Sequence, residues 1–146
     1  MMTNEKAPAF NDDFLMHRLY VMIRLFTKTL NDNISSYGIY SSEWTVLNYL
    51  IHHDGLLQTE IAAALEIEPA AISKTLGKME KKGLITKSFQ QDKREKYISL
   101  TPAAKELFPK LAAAVRNHRE RALSSIPQEQ LQSMLKTICT MTDNLK

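Results

Sequence analysis

The stretch QTEIAAALEIEPAAISKTLGKMEKKGLI, Gln58 to Ile85, decides how the rest of the chain reads. It holds two short amphipathic segments. The first starts at Gln58 or Thr59 and runs through Leu65; Ile61 and Leu65 face a core, and Ala62 is small where a second helix would cross. The second opens at Glu68 and Pro69 and ends at Gly83, with Ile72, Leu76 and Met79 at helical spacing. Burying that stripe turns Pro69, Ala70, Ser73, Lys74, Gly77 and Lys78 outward. The pattern predicts a helix-turn-helix whose second helix offers small and basic residues to a groove wide enough to admit a helix. Ser73 can donate to a base edge or to the sugar-phosphate backbone, and Lys74 can reach guanine acceptors or a phosphate.

Beyond Gly83 the period changes. LITKSFQ, then QDKREK, then YISL reads as two short strands around a charged turn, because β-branched and aromatic residues supply strand character. Such a hairpin directly after a helix-turn-helix is a wing. Its turn carries Lys93, Arg94 and Lys96, and Arg94 is placed to enter the flanking minor groove, whose negative potential attracts arginine. Asp92 is expected to structure the turn, by holding Arg94 or by accepting backbone hydrogen bonds.

Charge distribution points the same way. The net charge of +3 is modest, but Pro69 to Lys96 carries eight basic and three acidic residues, net +5, and the remainder is net −2. Lys74, Lys78, Lys81 and Lys82 would equally suit a solvated helix face. The adjoining basic turn favours a phosphate-facing surface instead.

Working outward, residues 1–10 read as a flexible N-terminal arm. Asp12 or Asp13 caps a helix whose stripe is Leu15, Leu19, Met22, Ile23, Phe26, Leu30, Ile34 and Tyr37, ended by Gly38. Ser41 or Ser42 opens the next, with Glu43 in its first turn, Trp44, Leu47, Leu50 and Ile51 on its apolar face, and Gly55 closing it. Thr101 and Pro102 cap a long helix bearing Leu107, Leu111, Val115 and His118, with a kink expected near Lys105 to Pro109. Pro127 starts a last helix striped by Leu131, Met134, Leu135, Ile138, Met141 or Thr142, and Leu145. The fold class is therefore mainly α with a small β-hairpin wing. Residues 39–101 form the winged helix-turn-helix, flanked by helices at 11–38 and 102–146 in one structural domain.

At 146 residues and 44% hydrophobic content the chain can bury a core, and it has no apolar run of about 18 residues to cross a membrane. The N-terminus lacks a basic stretch followed by an apolar one, and Cys139 has no second cysteine to pair with, so the expected compartment is the cytoplasm. Cys139 reads as a small core residue beside the last stripe. His17, His52, His53 and His118 fall on different helices, so no metal site is expected. No phosphate loop, nucleophile elbow or HExxH is present, and neither an enzyme activity nor a cofactor is expected.

Asp92-x-Arg94 followed by Leu100-Thr101, and preceded by MEKKGLI from Met79 to Ile85, resembles the wing signature of the MarR (multiple antibiotic resistance regulator) family. Helical order, length and the closing Pro127-Gln128-Glu129 helix extend the resemblance over nearly the whole chain. It departs at Glu66, where glycine is frequent, at Lys74, where arginine is common, and at Gly77 and Pro109. The resemblance implies a homodimer built from the first and last two helices, bound to double-stranded DNA at a pseudo-palindromic operator, with repression the expected outcome. It also implies a small aromatic or anionic effector between the dimer helices and the winged helix. Candidate lining residues are Tyr20, Arg24, Tyr37, Tyr40, Trp44 and His52. The alternative from another class is a winged-helix protein-interaction module that binds no DNA.

Overall fold

The computed structural model describes residues 9–89 and 96–146. Its elements run in the order α1 (Asp12–Ile34), a 3-10 turn (Ser35–Tyr37), α2 (Ser41–Leu50), β1 (Leu56–Leu57), α3 (Gln58–Leu65), α4 (Pro69–Lys81), β2 (Ile85–Phe89), β3 (Lys96–Leu100), α5 (Pro102–Leu123) and α6 (Gln128–Asn144). The mainly helical class with a small antiparallel sheet is as expected; the details of several boundaries are not.

Helix α1 is capped by Asn11, whose side chain accepts the Phe14 N–H, so Asp12 and Asp13 sit inside the first turn. There their charges favour the positive end of the helix. The α-helix stops at Ile34 rather than running to Tyr37, and the chain tightens into the 3-10 turn before Gly38 reverses it at φ 73. That left-handed conformation suits glycine, which has no Cβ to clash. Helix α2 ends at Leu50, earlier than Gly55, because Gly55 belongs to the turn that leads into β1.

The sheet has three strands rather than two. β1 pairs antiparallel with β3, Leu56 opposite Ile98, and β2 pairs with the other edge of β3, Ile85 opposite Leu100 and Phe89 opposite Lys96. A two-residue strand has no period to read. It nonetheless ties the start of α3 to the base of the hairpin. Thr101 and Pro102 start α5 as expected, the Thr101 hydroxyl accepting from the Ala104 N–H, and α5 continues through Pro109 without interruption to Leu123.

The core lies where α2, α3, α4, the sheet and the middle of α5 meet. Ile34, Leu47, Ile61, Leu76, Met79, Ile98 and Leu111 are fully buried there, each apolar side chain contributing roughly 1.5–3 kcal/mol relative to exposure. Trp44 stacks on Phe108, ring centroids 5.6 Å apart, fixing α2 against α5. The terminal helices differ. Of the α1 stripe only Leu30 and Ile34 are buried, and Leu15, Met22 and Ile23 are exposed. Helix α6 buries nothing: Met134, Leu135, Ile138 and Leu145 are all exposed. Cys139 shares that exposure, so it is not a core residue of the chain.

Among the described residues, no helix is long and apolar enough to cross a membrane, and no three His, Cys, Asp or Glu side chains gather as a metal site would need.

Candidate nucleic-acid interface

Helix α4 is set by its inner face. Ile72, Leu76 and Met79 are 1% exposed or less, which fixes the rotation of the helix about its axis. Pro69, Ala70, Ser73, Lys74 and Lys78 are consequently brought together on the outer face, all exposed. Glu68 precedes the helix and Pro69 occupies its first turn, where a missing N–H leaves no hydrogen bond unmade. No acidic side chain lies in that first turn, so the positive end of the helix remains available to an anion. The turn joining α3 to α4 rests on Glu66, which adopts the left-handed conformation at φ 52 in place of a glycine. Its carboxylate pairs with the Lys146 ammonium, which holds its pKa below the ordinary value.

The wing is joined to α4 by the Gly83 turn. The Leu84 N–H donates to the Met79 carbonyl, and the Thr101 hydroxyl donates to the Gly83 carbonyl at 2.6 Å, fastening the exit of α4 to the entry of α5. Lys87, half-buried on β2, lies 3.9 Å from Glu80 on α4. Lys96 opens β3 and is exposed opposite Phe89. Asp92, Lys93 and Arg94 lie outside the described residues.

The lysine run does not form one surface. All four lysines are exposed, but Lys74, Lys78 and Lys81 make no ion pair among the described residues, whereas the Lys82 ammonium sits 2.7 Å from Glu43, donates to the Gly38 carbonyl at 2.7 Å and lies 5.2 Å from the centre of the Tyr40 ring. Glu43 is 1% exposed and also accepts the Tyr40 N–H, closing a capping box at the start of α2. Its position at a helix start was visible in the sequence. Its burial was not, because the partner lies 39 residues away.

A second feature lies behind the interface. A cleft of about 550 Å³ is lined by residues of α1, α2, α5 and the end of α3, among them Phe26, Thr45, Trp44, Tyr49, His52 and Arg119. Trp44 and His52 are the two sequence candidates that line it; Tyr20, Arg24, Tyr37 and Tyr40 do not. Residues of α1 and α5 that the sequence stripes assigned to packing, Phe26 and Val115, contribute its apolar wall. Just below it, the buried His118 ring joins α5 to α1. The Thr29 hydroxyl donates to the Leu25 carbonyl at 2.8 Å and its oxygen lies 2.8 Å from His118 Nε2, which assigns the proton of the neutral ring to Nε2. His118 Nδ1 has no partner among the described residues. Burial, reinforced by Arg121 and Arg119, lowers the pKa of this histidine from 6.5.

A helix-turn-helix with an exposed basic face on its second helix, followed by an antiparallel hairpin and flanked by long terminal helices, defines a winged-helix fold. The MarR family model matches residues 37–95, the winged helix itself. It is 29% identical over 115 residues to YwoH of Bacillus subtilis (strain 168), an uncharacterized HTH-type transcriptional regulator, covering 79% of this chain and 84% of that one. The fold is similar to that of S. aureus MepR in a DNA complex, with a TM-score of 0.80, 24% identity and coverage of 94% of this chain and 100% of that one. It is also similar to a MarR protein from Peptoclostridium difficile, with a TM-score of 0.81, 16% identity and coverage of 99% and 92%.

Proposed function

We propose that this protein is a sequence-specific transcriptional regulator that binds double-stranded DNA as a homodimer, inserting α4 into the major groove and the wing turn into the adjoining minor groove. The observation that carries this reading is the division of α4: Ile72, Leu76 and Met79 are committed to the core, and Pro69, Ala70, Ser73, Lys74 and Lys78 stand exposed among the described residues. Small residues near the helix start let the backbone approach base edges, and the lysines behind them suit phosphates. MepR, a protein of similar fold, is seen in a complex with DNA.

The homodimer draws its support from α1 and α6, whose exposed Phe14, Leu15, Met22, Ile23, Met134, Leu135 and Ile138 form more apolar surface than a solvated helix pair retains. Two-fold symmetry then places two copies of α4 in successive major grooves, about 10 base pairs apart on a pseudo-palindromic operator. Repression follows where such a site overlaps a promoter. The cleft between α1, α2 and α5 suits a small aromatic or anionic effector: Trp44 and Tyr49 offer ring faces, and Arg119, His52 and His53 offer donors. A ligand that favours one spacing of the α4 helices lowers DNA affinity by shifting the population toward it. The role is not catalytic, and it is exercised in the cytoplasm.

Salt dependence tests the DNA reading. Log affinity for duplex DNA is expected to fall linearly with log salt, by roughly 0.9 per phosphate neutralised, and Arg94→Ala is expected to weaken binding about tenfold, the scale of one lost base contact. Binding indifferent to both salt and Arg94→Ala would instead mark a protein-interaction winged helix.

A further inference from the structure

The lysine at the end of α4 differs in kind from those along it. Lys82 caps the helix, and its ammonium meets a carboxylate, a carbonyl and an aromatic face, all supplied by the corner between α1 and α2. Glu43 Oε1 receives both this ammonium and the Tyr40 N–H, and Oε2 has no partner among the described residues. A carboxylate this deeply buried has no water to replace a lost cation, so removing Lys82 leaves an uncompensated charge. Lys74, Lys78 and Lys81 make no ion pair among the described residues.

The corner is not an arbitrary anchor. Helix α1 ends at Ile34, the 3-10 turn follows, Gly38 reverses the chain and Tyr40 starts α2. Lys82 therefore bonds the end of the groove-facing helix to the connection that follows α1, the helix that the dimer reading places at the interface, and to the first turn of α2. Apart from this contact, the longer Lys87–Glu80 pair and the backbone bonds at its exit, α4 is held by apolar packing, which resists separation but sets direction weakly; a charge-assisted hydrogen bond at 2.7 Å sets both distance and direction.

We infer that Lys82 is a positioning residue and not a phosphate contact: with Glu43 it clamps α4 to the α1–α2 corner and so sets the spacing of the two recognition helices in the homodimer. The inference rests on the dimeric DNA-binding reading above. It implies that loosening the clamp relaxes the dependence on half-site spacing while leaving the number of phosphate contacts unchanged.

The test uses a duplex selected from random DNA by the wild-type protein, together with versions carrying one base pair more or fewer between the half-sites. Lys82→Met is expected to bind the selected duplex about tenfold more weakly, to keep the wild-type salt slope and to discriminate less among the three spacings, and Lys82→Arg to retain discrimination. A slope shallower by roughly 0.9 per protomer with discrimination intact makes Lys82 a phosphate contact and overturns the inference, as does no change in either readout. Should Lys82→Met fail to fold, Glu43→Gln combined with Lys82→Met removes the stranded charge. That double variant is expected to melt above Lys82→Met and to show the same loss of discrimination; wild-type discrimination in it overturns the clamp. If the wild-type protein selects no duplex, the DNA-binding reading fails separately, and melting then judges the pair alone. Non-additive losses among Glu43→Gln, Lys82→Met and the double variant support it, and additive losses overturn it.

Discussion

Helices α4 and α6 carry apolar stripes of the same period and meet opposite fates. In α4, Ile72, Leu76 and Met79 disappear into the core; in α6, Met134, Leu135 and Ile138 stand exposed and no residue is buried. Periodicity shows that a helix has a face to cover. It does not show whether the cover comes from the same chain. The winged helix satisfies its own stripes, because α2, α3 and β2 pack against α4. The terminal helices leave theirs open, and this contrast separates a module that covers its own stripes from helices that do not.

The contrast can be broken most forcefully at its buried end. Leu76→Ala is expected to cost about 2–5 kcal/mol of stability, measured by chemical denaturation. A loss below about 1 kcal/mol would mean that α4 is not anchored through this face. At the other end, Leu135→Glu with Ile138→Glu should leave the secondary structure of the protomer intact and weaken association by about tenfold to a hundredfold, some 1.4–2.8 kcal/mol, read by sedimentation over a range of concentrations. An unchanged association constant would place the contact between copies elsewhere, and a monomer at every concentration would remove it.

The border between the two regions runs through His118, and there the expected effect is smaller and depends on pH. Burial, with Arg121 and Arg119 adding to it, lowers the folded-state pKa of the ring below 6.5, so the unfolded chain binds the proton more readily. Stability is then complete above about pH 6.5 and is lost as pH falls from there through the folded-state value. Melting temperature should decline over that interval, and His118→Gln should flatten the decline by removing its titrating group. Parallel curves for the two proteins would show that the α1–α5 contact does not sense this proton.

Much of the architecture was legible because it is written in local signals. The alternation of Ile72, Leu76 and Met79, the Thr101-Pro102 start of α5, and the change of period after Gly83 each concern residues within a few positions of one another. Apart from shifted helix ends, such as the Asn11 cap and the stops of α1 and α2, the departures from expectation involve partners far apart in the chain. β1 exists because Leu56 meets Ile98, and Glu43 is buried because Lys82 reaches back to it. Leu57 and Tyr97 are likewise paired across 40 positions, which no local pattern records. Cys139 reads as a core residue from its place beside a stripe, and its exposure follows from the openness of that whole stripe. For the candidate interface, the outward face of α4 was legible as the complement of its buried face. The cleft was legible only in Trp44 and His52, since its walls are assembled from four helices whose relative placement no short-range spacing encodes.

The most direct measurement is a footprint of the wild-type protein on duplex DNA selected from a random library. Two protected half-sites about 10 base pairs apart, occupied together by a dimer, are the expected result. Protection of a single asymmetric half-site by a monomer, or no selected sequence at all, would contradict it.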